Sequence, residues 1–249
     1  MEFSFELLAL LSLVAVLAGF IDAIAGGGGL LTIPALLFTG MSPVQAIATN
    51  KLQACFGSFT ATRFFIKQKL VSPKKQTWGI LAAAIGAAVG AMAIQLFDSQ
   101  ILITLLPFAL ILIAVYLIIA KNFGQSADTP KLSEKNYNAS FISGIGFYDG
   151  FFGPGTGTFF TLSYCKMRAM NLIQATAHAK LMNFTTNIVS LMIFILSDQI
   201  IWQVGLAMAV GQIIGAHIGA ATAIKQGTDF IRYMTVAVCI AMSISLLLK

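Results

Sequence analysis

Charge is what this chain has least of. Only 10% of its 249 residues are Asp, Glu, Lys or Arg, against about 25% in an ordinary soluble domain. That shortage excludes a water-soluble globular fold. Histidine occurs twice and cysteine three times, as Cys55, Cys165 and Cys239 in or beside apolar runs. An odd cysteine count with no ligand spacing excludes a disulfide framework and a zinc site. No HExxH, serine elbow or acid–base constellation is present, which argues against an intramembrane enzyme. GPGTGT, beginning at Gly153, lacks the Lys-Ser/Thr of a nucleotide loop and sits between Phe-rich flanks. The first apolar segment has neither a basic n-region nor an A-x-A-like cleavage site, so it reads as retained. No cofactor and no metal are expected.

The residues that are present are mostly apolar: 58% of the chain, with a mean hydropathy of +0.88. Several runs approach the ~20 residues that cross a bilayer. They predict an all-α polytopic membrane protein with hydrophobic segments at 6–24, 44–66, 77–96, 101–120, 139–152, 171–196, 200–222 and 230–248. Two shorter runs, 30–39 and 157–165, reach only ~14 Å as helices, half a membrane. They read as half-helices. The net charge of +6 lies on residues that cap membrane segments, so it signals topology and not nucleic acid.

Those half-helices belong to a repeat. GFIDAIAGGGGLLTIPALL begins at Gly19 and GFYDGFFGPGTGTFFTLSY at Gly146. Asp22 aligns with Asp149, Gly26 with Gly153 and Gly28 with Gly155; Thr156 stands opposite Gly29. After a two-residue slip, QAIATNKL around Lys51 matches QATAHAKL around Lys180. Gly86 and Gly90 match Gly211 and Gly215, with Gly219 extending the second set, and Trp78 matches Trp202. The glycine spacing allows close helix packing, and the tryptophans read as interfacial anchors.

Twelve of the fifteen Lys and Arg fall in four clusters: Arg63 to Lys75, Lys121 to Lys135, Lys166 with Arg168, and Lys225 with Arg232. By the positive-inside bias all four are cytoplasmic. The loops at Asp98 and Asp198 hold no base and fall outside. Lys166 and Arg168 sit inside, midway between Lys135 and Asp198. The segment 139–152 therefore enters, turns at the glycines and returns. If 6–39 does the same, each half is a re-entrant, glycine-broken helical hairpin plus three transmembrane helices. An odd number of crossings makes the two repeats inverted, the architecture of secondary transporters. The expected domains are 1–120, a cytoplasmic linker 121–137, and 138–249, with both termini outside. Full spans at 6–24 and 139–152 would give parallel repeats instead.

The candidate site follows from this layout. Gly26, Gly27, Gly28 and Gly29, and Gly153, Gly155 and Gly157 beside Thr156, open half-helices whose N-terminal N–H groups point to the membrane centre. Such ends hold anions; the competing reading is a tight turn between packed helices. Lys51 and Lys180 lie about eight or nine residues into their helices, ~12–14 Å deep. A submerged ammonium costs at least ~2.5–3.5 kcal/mol and must face a partner or a wet cavity. Thr176, Lys180, Asn183 and Asn187 form one helical stripe, and Lys51, Cys55, Ser58 and Thr62 another. The lysines either line an anion path or pair with Asp22 or Asp149. Asp22 and Asp149 are candidates for proton coupling, as is His178, two residues before Lys180. His217 reads as structural.

GFIDAIAGGGGLLTIPALL, SPVQAIATNKLQA, GFYDGFFGPGTGTFF and ATAHAKLMN together resemble the TauE/SafE family of membrane permeases, most closely its YfcA-like bacterial branch. The resemblance covers essentially the whole chain. It implies a multi-pass inner-membrane permease of bacteria, with sulfite or organosulfonates as the class of substrate. The leading expectation is a secondary transporter for a small anion working by alternating access, coupled to protons through Asp22, Asp149 or His178. An uncoupled anion channel and a non-transport scaffold are the rivals. The partners expected are a small anion and the lipid bilayer, with a homodimer plausible and no nucleic acid.

Overall fold

The computed structural model describes residues 3–98, 101, 127 and 129–247, the last twenty by their backbone alone. Among them the regular structure is entirely helical. α1 is Phe5–Ala25, α2 Gly28–Phe38 and α3 Pro43–Lys67. A 3-10 turn, Pro73–Gln76, leads into α4, Thr77–Ile94. The next rod, α5, joins Glu134–Tyr137, a π-type stretch Asn138–Ile142 and Ser143–Phe151. α6 is Thr156–Arg168 and α7 Leu172–Leu196. α8, Trp202–Leu247, breaks at Gly227 (φ 79°, ψ −166°), where the sequence separates 200–222 from 230–248. The expected segment 101–120 lies, apart from its first residue, outside the described residues.

Two expectations need correction. The arm expected at 139–152 begins at Glu134, because Ser133 accepts from the Asn136 N–H as an N-cap with Glu134 in the first turn. The polar linker expected at 121–137 therefore overlaps a helix by four residues. The half-helices are also longer than expected, 11 and 13 residues, or ~16 and ~20 Å.

Among the described residues four stretches are long and apolar enough to cross a bilayer: Phe5–Ala25, Pro73–Ile94, Leu172–Leu196 and Trp202–Gly227. α3 has the length, 25 residues, but carries too many polar groups. It is built inside out. Thr49, Asn50, Lys51, Gln53, Ser58 and Thr62 are buried while Phe56, Phe59 and Ile66 are exposed. α7 follows the same rule, burying Lys180, Asn183, Thr186, Asn187 and Ser190 and exposing Met192, Ile195 and Leu196. Apolar outside and polar inside is the arrangement hydrocarbon solvent demands.

Each glycine cluster turns one helix back on another. Leu36 and Met41 cluster with Leu11, beside Leu7 and Leu8, so α2 lies antiparallel along α1. The Tyr137 hydroxyl lies 2.7 Å from Ser163 Oγ, and Arg168 donates to the Leu132 carbonyl, so α6 retraces α5. The matched helices α3 and α7 open alike: Ser42 and Asn171 cap by accepting from Gln45 and Gln174 N–H. They run antiparallel, since Phe65 clusters with Leu172 and Ala175, and Leu52 and Cys55 with Leu191 and Phe194.

The copies interlock. α4 packs on α5 and α8 on α1, each joining one copy's later helix to the other copy's hairpin. Gly86 and Gly90 face the backbone of Ser143 to Phe151, and Gly211, Gly215 and Gly219 that of Ser12 to Phe20, with numbers rising together. Both seams are therefore parallel pairs. A methyl at these glycines would strike the neighbouring backbone, so absent side chains set the helix separation.

Candidate functional site

The two hairpin turns touch. α1 stops at Gly26 (φ 82°), whose N–H returns to the Asp22 carbonyl. A Cβ on Gly26 would collide with the backbone of Gly157 and Thr158 at the start of α6. Thr158 Oγ1 donates to the Ala25 carbonyl at 2.6 Å, giving one orphaned C-terminal carbonyl of α1 a partner. Gly29 lies against Pro154. Both broken ends thus meet at one point inside the bundle.

Around that point lie two ion pairs, each crossing from one repeat to the other. Lys51 Nζ on α3 donates to Asp149 Oδ1 on α5 at 2.7 Å. Lys180 Nζ on α7 donates to Asp22 Oδ2 on α1 at the same distance. The side chains of Lys51, Lys180 and Asp149 are at most 2% exposed; that of Asp22 is 19% exposed. The two ammoniums and two carboxylates cancel. An isolated buried charge of either sign would be costly, and the pairing removes most of that penalty.

The carboxylates also anchor the turns. Asp22 Oδ1 accepts the Gly28 N–H at the start of α2 (3.2 Å). Asp149 accepts from Thr156 Oγ1 (3.1 Å), Asn183 Nδ2 (3.1 Å) and Thr186 Oγ1. Gly153 approaches Lys51 Nζ, and Gly157 approaches Lys180 Nζ. Between these groups is a cavity of about 20 Å³, room for roughly one water.

Asp22, Gly26, Gly28, Gly29, Asp149, Gly153, Gly157, Asn183 and Asn187 line that cavity. Lys51 and Lys180 stand behind it, held by the aspartates. Gly27 and Gly155 are the residues immediately before α2 and α6, and Thr156 is the first residue of α6. His178 is elsewhere. Its Nδ1 lies 2.9 Å from the Gln174 carbonyl, and its ring packs 5.3 Å from that of Tyr164. His217 packs on Phe64.

Sequence reasoning missed Asn50, Gln53, Ala54 and Gln212, which also line the cavity. Asn50 and Gln53 flank Lys51 on the same buried face, a signal that was available. Asn50 Oδ1 accepts from Thr32 Oγ1 and from Gln53 Nε2, both at 2.6 Å. Gln212 had no signal, because the matching residue in the first repeat is Ala87.

The family pattern described as "Sulfite exporter TauE/SafE" matches residues 11–246. The chain belongs to the TauE/SafE family. The "Probable membrane transporter protein YfcA" of Escherichia coli (strain K12) is 46% identical over 245 residues, covering 97% of this chain and 90% of its own. A "Probable membrane transporter protein" of Haemophilus influenzae is 41% identical over 243 residues, 98% of this chain and 95% of its own. The "Probable membrane transporter protein YunE" of Bacillus subtilis is 26% identical over 257 residues, 92% of each chain. No solved structure matches the chain. The protein is a membrane transporter of the TauE/SafE family, and the two touching glycine turns and crossed ion pairs lie inside the matched region.

Proposed function

We propose that this TauE/SafE transporter is a secondary permease that moves a small oxyanion, sulfite or an organosulfonate, across the bacterial inner membrane by alternating access. The observation that carries the reading is the convergence of two glycine-broken helix ends and two buried ammonium groups on one polar cavity. Helix N-termini and ammoniums are the groups that replace water around an anion inside a membrane protein. Sulfite comes from the description of the matched family, and organosulfonates from the resemblance drawn on the sequence.

In this reading 1–120 and 138–249 are inverted repeats joined through a cytoplasmic linker, with both termini outside. The antiparallel matched helices α3 and α7 support inversion. Because each ion pair bridges the repeats, rocking one half against the other stretches both pairs. Proton uptake on Asp22 or Asp149 releases a lysine, which then serves the anion. A cavity of one-water size favours a closed state of a transporter over an open channel.

Counterflow in proteoliposomes tests this. Preloaded sulfite should accelerate entry of labelled sulfite with saturation, and Lys180→Met should lower the rate at least about tenfold while the purified variant elutes as wild type. Flux that rises linearly with membrane potential and shows no counterflow would establish a channel instead. Cysteine labelling at Ala127 and Ser99 should report opposite faces.

A further inference from the structure

The polar groups around the central cavity are unevenly divided between donors and acceptors. Its charged neighbours are Asp22 from α1, Lys51 from α3, Asp149 from α5 and Lys180 from α7; both ammoniums already donate to carboxylates. From α2, α6 and α8 come glycines and the uncharged Gln212. The amides of Asn187 and Gln212 also line it, but among the described residues Gln53 carries the one fully enclosed lining atom with no partner. Gln53 is 1% exposed, its Nε2 is committed to Asn50, and its Oε1 is a buried acceptor without a partner. Leaving a buried acceptor unpaired is costly, which points to a donor supplied from outside the chain. Asp22, on the same wall and partly exposed, is a second acceptor.

We infer that the site, once it opens from its closed one-water size, takes its oxyanion in a monoprotonated form, hydrogen sulfite being the fitting case, with the ligand O–H donating to Gln53 Oε1 and its bare oxygens facing the helix ends. This rests on the oxyanion-permease reading, adds the ligand's protonation state and, of the two substrates named there, selects sulfite over organosulfonates. A dianion would bring two negative charges beside Asp22 and Asp149 and offer no donor. A monoprotonated ligand offers one donor, one charge and two acceptors. A site built to satisfy a ligand hydroxyl discriminates strongly against analogues that lack it. One proton then rides on the substrate, in addition to any taken up by Asp22 or Asp149.

The test is binding by the purified full chain, followed by calorimetry, with sulfite, sulfate and methanesulfonate at pH values about one unit either side of neutrality. Sulfite titrates in this range; sulfate stays a dianion and methanesulfonate a monoanion without an O–H. The inference expects sulfite affinity to fall about tenfold per pH unit above its second ionisation, as hydrogen sulfite disappears. Methanesulfonate should bind several-fold more weakly than sulfite on the acid side. Any pH dependence from the protein's own carboxylates appears with methanesulfonate too and is subtracted. Gln53→Leu should bring sulfite down to the methanesulfonate level, and Gln53→Glu should restore preference for the hydroxyl-bearing ligand.

Sulfate or methanesulfonate binding as tightly as sulfite, or sulfite binding that follows the methanesulfonate pH profile, overturns the inference and leaves the permease reading standing. The same result would mean that water, not ligand, pairs with Gln53. No binding of any probe at any pH overturns the oxyanion reading and this inference together.

Discussion

The two half-sites are copies in sequence and unequal in chemistry. Asp149 accepts from Lys51, Thr156, Asn183 and Thr186 and is 2% exposed. Asp22 accepts from Lys180 and the Gly28 N–H and is 19% exposed. Three substitutions between repeats produce the difference. Thr156 replaces Gly29 and adds a hydroxyl to Asp149. Thr186 and Asn183 stand where the first repeat has Gly57 and Ala54, so α3 sends no donor to Asp22 as α7 does to Asp149. A carboxylate with four donors must give up four hydrogen bonds to change partner, and one with two donors only two. The second half is therefore the clamp of the pair, more firmly tied than the first.

The largest expected effect comes from unlocking the clamp. Asp149→Ala leaves the Lys51 ammonium buried and uncompensated, which costs about 3–5 kcal/mol. Its thermal unfolding in detergent should fall well below that of Asp22→Ala, whose lysine sits beside the partly exposed half. Equal losses would erase the comparison.

Next come the turn glycines. Gly26→Ala combines a left-handed backbone with a collision against Gly157 backbone. The expected costs are about 1–2 kcal/mol for the conformation plus ~1–3 for overpacking. Gly153→Ala also has a left-handed backbone (φ 94°), but its Cβ meets the far ends of Lys51 and Asp149 at 3.1 and 3.2 Å and the Asp149 carbonyl at an ordinary 3.4 Å. The yield of folded protein should therefore be lower for Gly26→Ala. The reverse order would show that the two turns do not touch as described.

Thr156→Val removes one of the four donors to Asp149 and should cost about 1 kcal/mol, read as a small drop in melting temperature. The smallest effect belongs to Gly29→Ala. An added Cβ there stands 3.4 Å from Pro154 Cα and 3.8 Å from Asn50 Nδ2, ordinary contact. The ~1 kcal/mol gained in helix propensity should leave stability unchanged or slightly raised.

Much of this was legible beforehand. Glycines at 26–29 and 153–157 marked the turns, because few other residues permit that backbone. Lys51 and Lys180 announced themselves as ammoniums in oil. The start of α5 was not legible from hydrophobicity, since Glu134 and Lys135 look like linker until Ser133 is recognised as a cap. His178 looked suitable by composition and neighbourhood on the chain, but two residues along the helix are about 200° of rotation from Lys180, and its ring packs on Tyr164 instead.

The residues alone determined the class of protein, the repeat, the glycine breaks and which charges had to be buried. Each of these is a property of local pattern and of the cost of charge in hydrocarbon. They left open whether Lys51 pairs with Asp22 or Asp149, and they gave no sign of Gln212. Only the tertiary structure decided those, because pairing depends on distances between helices 98 and 158 residues apart in the chain. It crossed the pairs between the repeats, and by surrounding one carboxylate with donors and not the other it broke a symmetry that the sequence repeat had suggested.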